Sequence, residues 1–170
     1  NPRVDLVVEL IGGEQPALDI LRTAISNGKH VVTANKEVMA NHGPEIIELA
    51  DQQEVYLLYE ASVGGGIPII GPLQKDLQAN DVSSLHAIIN GTTNYILTRM
   101  SEEGMDFETA LQLTQQLGYA EADPTSDTEG VDAAYKLAIL STLSFHTHVV
   151  GGDVYREGIS RLSAQDFQYA

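Results

Sequence analysis

The 170-residue sequence contains no cysteine. Disulfides, thiolate metal sites and cysteine nucleophiles are therefore excluded, which fits a cytoplasmic protein. Cations are scarce: 9 Lys+Arg stand against 24 Asp+Glu, a formal net charge of −15. Such a surface offers no basic face to nucleic acid or to an anionic membrane. It suits an enzyme of small molecules, provided the few cations sit where an anionic ligand arrives. No run of about 18 or more apolar residues exists, so no membrane span is expected. The chain opens on Asn1, without Met and without a basic segment leading into an apolar one. It reads as an internal segment of a longer polypeptide, with no signal peptide. Hydrophobic residues make up 43% and charged residues 19%. These are ordinary globular values, and the length allows one good core or parts of two domains.

The first third alternates strand and helix. DLVVELI at 5–11 is a continuous apolar run, as in a strand buried on both faces, and Gly12-Gly13 ends it. Residues 16–27 carry Ala17, Leu18, Leu21, Ala24 and Ile25 on one helical stripe, closed by Gly28. A strand at 31–33, a helix over 43–53 and a strand at 55–59 follow. This order predicts a parallel sheet with right-handed crossovers. The texture then changes. Residues 64–68 form a glycine-rich loop, 69–77 a helix and 82–89 an alternating strand. Residues 91–94 form a turn, with helices over 95–103 and 106–117. A polar loop spans 118–130, and a long apolar helix covers 131–148. The last twenty residues look irregular.

Five constellations can carry chemistry. Asp132 and Lys136 lie four apart, acid before base, and are the formally charged residues between 131 and 150. An average helix would solvate such a pair. Here apolar neighbours bury the lysine partly and prepare it for proton transfer at neutral pH. The loop 118–130 holds Glu121, Asp123, Asp127 and Glu129 ahead of that helix. They can serve the helix dipole, receive a substrate ammonium, or bind Ca²⁺, although the EF-hand order is lacking. Lys36 follows a strand, where ligands of doubly wound sheets sit. It reads as a contact to phosphate or nicotinamide ribose, or as an ordinary exposed lysine. EASVGGGI at 60–67 can cradle phosphate or hold a hard cation with carbonyls and one carboxylate. His146 and His148 read as structural, because two residues apart on a helix they diverge.

Together VVELIGG at 7–13, GKHVVTANK at 28–36, EASVGGGIP at 60–68, NGTTNYIL at 90–97 and LGYAEADPTSDTEGVDAAYK at 117–136 resemble homoserine dehydrogenase. The resemblance covers nearly the whole chain. It implies an α/β architecture, with 1–61 the later part of a Rossmann-type NAD(P) domain and 62–170 an α+β catalytic and dimerisation domain, truncated at its end. The implied reaction is the NAD(P)-dependent interconversion of L-homoserine and L-aspartate 4-semialdehyde, in threonine and methionine biosynthesis.

By the same resemblance Lys136 corresponds to the catalytic lysine. Glu121, Asp127 and Asp132 correspond to substrate-binding residues, and Lys36 and Gly118 to cofactor contacts. Glu60, Val63, Gly65 and Ile67 correspond to a monovalent cation site such as one for Na⁺, and Thr92 and Thr93 border the active site. A homodimer is implied, with an amino-acid substrate and neither nucleic acid nor membrane as partner. The GxGxxG fingerprint is absent, so the isolated segment is expected to bind cofactor poorly and to be inactive alone. Two other classes stay open: another Rossmann-type oxidoreductase with a similar second domain, and a non-enzymatic dimerising core.

Overall fold

The computed structural model of the protein describes residues 1–169. These form two compact units, one of residues 1–85 and 135–154, the other of residues 86–134 and 155–169.

The first unit is built on a parallel sheet of β1 (Leu6–Glu9), β2 (His30–Thr33) and β3 (Leu57–Leu58), in that order. Val7 stands opposite Val31, and Val31 opposite Leu57. The crossovers are α1 (Ala17–Ser26) and α2 (Lys36–Gln52). Their inner residues Leu18, Leu21, Ile25, Val38 and Ile46 pack with Val31, Val7 and Leu57 into one core. Because side chains alternate along a strand, Leu6 and Val8 point to the other face. There they are exposed, as are Leu58 on β3 and Tyr56 just before it. Within this chain both helices cover the same face, so the expected burial of β1 on both faces is not met by these residues.

α2 begins seven residues before the expected position. Asn35 caps it, its Oδ1 accepting from the Val38 amide at 3.1 Å. The helix runs through Pro44, a residue that in sequence argues for a boundary. After β3 come a 3₁₀ turn at Glu60–Ser62 and a π-helical turn at Pro72–Asp76, which lies within the helix expected over 69–77. Residues 82–89 form no strand, and Ile88 is 82% exposed. An alternating segment becomes a strand only when a neighbour completes its hydrogen-bond ladder. Among the described residues the sheet has three strands, none of them from this region.

The second unit is helical: α3 (Gly91–Glu103), α4 (Phe107–Gln116), the short α5 (Thr125–Thr128) and α7 (Ala164–Tyr169). Ile96, Met100 and Ala110 form its core, flanked by Ile159, Leu162 and Phe167 of the tail. The tail is therefore more ordered than its sequence suggests. The turn expected at 91–94 is instead the first turn of α3, capped by Asn90. α4 starts where its cap Asp106 predicts, with the Thr109 amide donating to that carboxylate at 2.9 Å. α6 (Val131–Phe145) belongs to the second unit through Ala134 and to the first from Tyr135. It stops three residues before the expected position, at His146 in the left-handed conformation (φ 50°).

Candidate functional site

In the second unit the loop before α6 is pinned by one amide. Asn90 is buried, and its Oδ1 accepts from the Thr93 amide at 2.8 Å, which caps α3. Its Nδ2 donates to Asp127 Oδ1 at 2.7 Å and to Asp132 Oδ2 at 2.9 Å. Two carboxylates are thus drawn to one nitrogen. Asp132 is only 4% exposed, while Asp127 is half-buried. Paired carboxylates of this kind receive a cation or ammonium group well, since hydrogen bonds to ionised partners are about twice as strong as neutral ones.

Two further ties fix the same loop. Thr92 Oγ1 donates to the Tyr119 carbonyl at 2.9 Å, and Gln115 Nε2 to the Glu121 carbonyl at 3.0 Å. The Glu121 carboxylate itself is on an exposed residue. The hydroxyl and amide of Thr125 hold the neighbouring Asp123 carboxyl below its usual range. Gly118, at φ 76°, ends α4 by donating its amide to the Gln115 carbonyl at 3.0 Å. That conformation favours glycine.

Lys136 follows Asp132 by one turn of α6 and is half-buried, as its apolar surroundings in sequence led one to expect. His146 and His148, by contrast, are exposed. No group of three or more His, Asp or Glu able to hold a metal ion occurs among the described residues.

In the first unit Lys36 is the first residue of α2, just past the carboxyl end of β2. The loop after β1 lies beside it. Gly12 and Gly13 both take the left-handed conformation, with open space where a Cβ would stand. Exposed backbone at strand ends, facing a helix N-terminus, is where doubly wound sheets receive a ligand. A strand end of this kind could hold part of a dinucleotide.

The loop after Tyr59 behaves differently from its sequence reading. Glu60 Oε1 accepts from the amides of Ile69 (2.6 Å) and Ile70 (2.8 Å), and Oε2 from that of Gly71 (2.8 Å). Desolvation pushes the carboxyl up, but these three amide donors together outweigh it and leave it below its usual value. The carboxylate is engaged in folding the loop. Gly64 and Gly65 have positive φ, and the Ile67 amide donates to the Gly64 carbonyl at 3.0 Å. A cation here would rest on main-chain oxygens of Val63, Gly65 and Ile67.

Three residues that hold these sites carry no role in the sequence reading: Asn90, Asn35 and Glu9. The two asparagines are legible as helix caps, since Asn is a preferred N-cap. Their second hydrogen bonds, to partners 22 to 42 positions away, leave no local pattern.

Residues 1–60 match the sequence model of the family described as "Homoserine dehydrogenase, NAD binding domain", and residues 68–170 that of "Homoserine dehydrogenase". A homoserine dehydrogenase of Synechocystis is 55% identical over all 170 residues, which are 39% of its length. One of Pseudomonas aeruginosa is 50% identical over the same span, again 39% of its length. The crystal structure of a homoserine dehydrogenase from Thiobacillus denitrificans superposes with a TM-score of 0.95 at 50% identity, covering 99% of this chain and 39% of that one. A hyperthermophilic archaeal homoserine dehydrogenase in complex with NADPH superposes with a TM-score of 0.84 at 32% identity, covering 94% of this chain and 49% of that one. The chain thus spans about two fifths of the curated relatives it matches, and over that span it belongs to the homoserine dehydrogenase family.

Proposed function

We propose that the chain supplies the substrate residues and part of the cofactor site of an NAD(P)-dependent homoserine dehydrogenase, which interconverts L-homoserine and L-aspartate 4-semialdehyde. The observation that carries this reading is the carboxylate pair Asp127 and Asp132 gathered by Asn90. Two anions on one amide are suited to a primary ammonium such as the one homoserine carries. Glu121, in the loop tied down by Gln115, completes the polar set.

NAD(P), when bound, accepts or delivers the hydride. The chain's own residues orient and move protons. Asp127, Asp132 and Glu121 hold the amino acid by its ammonium. Lys136 takes the hydroxyl proton as the alcohol is oxidised and returns it to the nascent alkoxide in the reverse direction. Lys36, with the glycine loop after β1, places the cofactor. A monovalent cation such as Na⁺ would be held by the carbonyls of Val63, Gly65 and Ile67 beside Glu60, and would stiffen that loop.

The working form is a homodimer in the cytoplasm. Ile88, exposed in the segment 82–89, favours burial against a second copy.

The test is turnover by the full-length protein. With L-homoserine it should reduce NAD(P)⁺, while an alcohol lacking the amino group should be oxidised at least about a hundredfold less well. Equal turnover of both, or none with homoserine, would refute the reading.

A further inference from the structure

A chain of buried polar groups crosses the carboxyl end of the sheet. Glu9, the last residue of β1, is 2% exposed. Its Oε2 accepts from Thr33 Oγ1 at 2.6 Å, and its Oε1 from the Ile11 amide at 2.7 Å. Thr33 is fully buried and its hydroxyl does double duty, since it also accepts from the Asn35 amide at 3.0 Å. Asn35 is itself buried. Its Oδ1 caps α2 through Val38, and its Nδ2 donates across the gap to the Gly13 carbonyl at 2.7 Å. One residue further on, Glu14 accepts from Asn41 at 3.3 Å and lies 3.2 Å from His42 Nε2. The loop after β1 is therefore fastened to the opening turns of α2 from several sides.

Stability alone gives no reason for such a chain. Burying a carboxylate, a hydroxyl and an amide carries a desolvation cost that apolar residues of similar size would not incur. What the polar chain achieves, and apolar packing cannot, is a fixed relation between two loops. Hydrogen bonds are directional, and each group here has its partner. One of the loops carries the left-handed glycines, and the other delivers Lys36.

We propose that Asn35, backed by Thr33 and Glu9, is a positioning residue for the cofactor site: its side-chain amide sets the glycine loop against the helix start from which Lys36 projects. This rests on the reading of Lys36 as a cofactor contact. Asn35 touches no reacting atom in this scheme; it acts through Lys36 and the loop.

The experiment uses the full-length protein and four forms: wild type, Asn35→Ser, Lys36→Ala and the double variant. Serine retains a good helix cap without charge, but is too short to reach Gly13. The dissociation constants of NADH and NADPH are titrated by fluorescence, with KM for homoserine and Tm alongside. Asn35→Ser should weaken cofactor binding about three- to tenfold, as loss of one hydrogen bond does. KM for homoserine should change less than about twofold, with Tm little affected. In the Lys36→Ala background the same change should have almost no further effect, because coupled residues are not additive.

Equal weakening in both backgrounds would overturn the proposal, as would unchanged cofactor affinity or a parallel loss of every parameter with Tm. Lys36→Ala alone, if harmless to cofactor affinity, would sink the underlying reading and this inference with it. Lys36→Ala harmful and Asn35→Ser harmless would sink this inference only. Thr33→Val should reproduce the cofactor defect and Thr33→Ser should restore binding; if serine fails where valine does, the hydroxyl is not the cause.

Discussion

Replacing Asn90 by Asp reverses one hydrogen-bond donor and leaves the rest of the residue intact. Aspartate caps a helix as well as asparagine does, so α3 keeps its start. The Nδ2 that served Asp127 and Asp132 at 2.7 and 2.9 Å becomes an oxygen, and three carboxyl groups meet. Two unit charges about 4 Å apart repel by about 4 kcal/mol at an effective dielectric of 20. Two such pairs together exceed the cost of protonating the new group. Taking an aspartate with an ordinary pKa of about 3.9 to its neutral form at pH 7 costs about 4 kcal/mol. That cost bounds the repulsion, and the new O–H can still donate to one of the two carboxylates. The variant should therefore be about 4 to 6 kcal/mol less stable than wild type at pH 7, one lost charged hydrogen bond included.

The sign of the pH dependence follows. In the folded state the pKa of residue 90 in this variant is raised, so folding retains a proton that the unfolded chain releases. The deficit opens as the pH rises above about 4 and grows by about 1.4 kcal/mol per pH unit. Denaturant unfolding of the full-length wild type, Asn90→Asp and Asn90→Ala between pH 4 and 7 measures it. A deficit in Asn90→Asp that stays flat over this range, or no deficit at pH 7, would refute the reasoning.

Other perturbations test separate parts of the structure. In the full-length enzyme Lys136→Ala should lower kcat by about a hundred- to ten thousandfold with cofactor affinity near normal; retained turnover, where chemistry limits the rate, would count against Lys136. Gly151→Ala would place a Cβ 2.5 Å from the Tyr135 ring, so it should lower Tm markedly, while Gly152→Ala, which meets nothing within 4 Å, should be far better tolerated. The Thr109 amide, followed by its hydroxyl, holds the Asp106 carboxyl below its usual value. Its contribution to α4 is therefore present above about pH 4 and is lost as pH falls through the depressed value; a carboxyl ¹³C titration giving Asp106 a midpoint at or above 3.9 would contradict this. Light scattering of the full-length protein should return a dimer at micromolar concentration, and a monomer would remove the second copy as partner.

Much of the first unit was legible because its signals are local. Stripes such as Leu18, Leu21 and Ile25 find their helix through a 3.6-residue period, and Gly28 marks its end. Asn35 is a sequence-readable cap, yet the helix was expected only from 43; α2 starts at Lys36 and runs through Pro44. Lys136 could be placed among apolar neighbours from its own helix. What the local signals could not supply was the partner of each element. The alternation at 82–89 is a strand pattern without a ladder, and the apolar run at 5–11 carries no information about which of its faces a helix will cover.

The sequence by itself therefore determined several periodic elements, the Asp106 cap, the acidic character and the family, because each depends on residues within a turn or two of one another, on composition or on ordered motifs. Only the tertiary structure decided that Asn90 gathers Asp127 and Asp132, that Glu60 spends its carboxylate on three amides, and that Glu9, Thr33 and Asn35 form one chain. Apart from the link between Thr33 and Asn35, those contacts join residues 9 to 42 positions apart. A hydrogen bond between distant residues depends on where the fold brings two backbones, and spacing along the chain does not encode that.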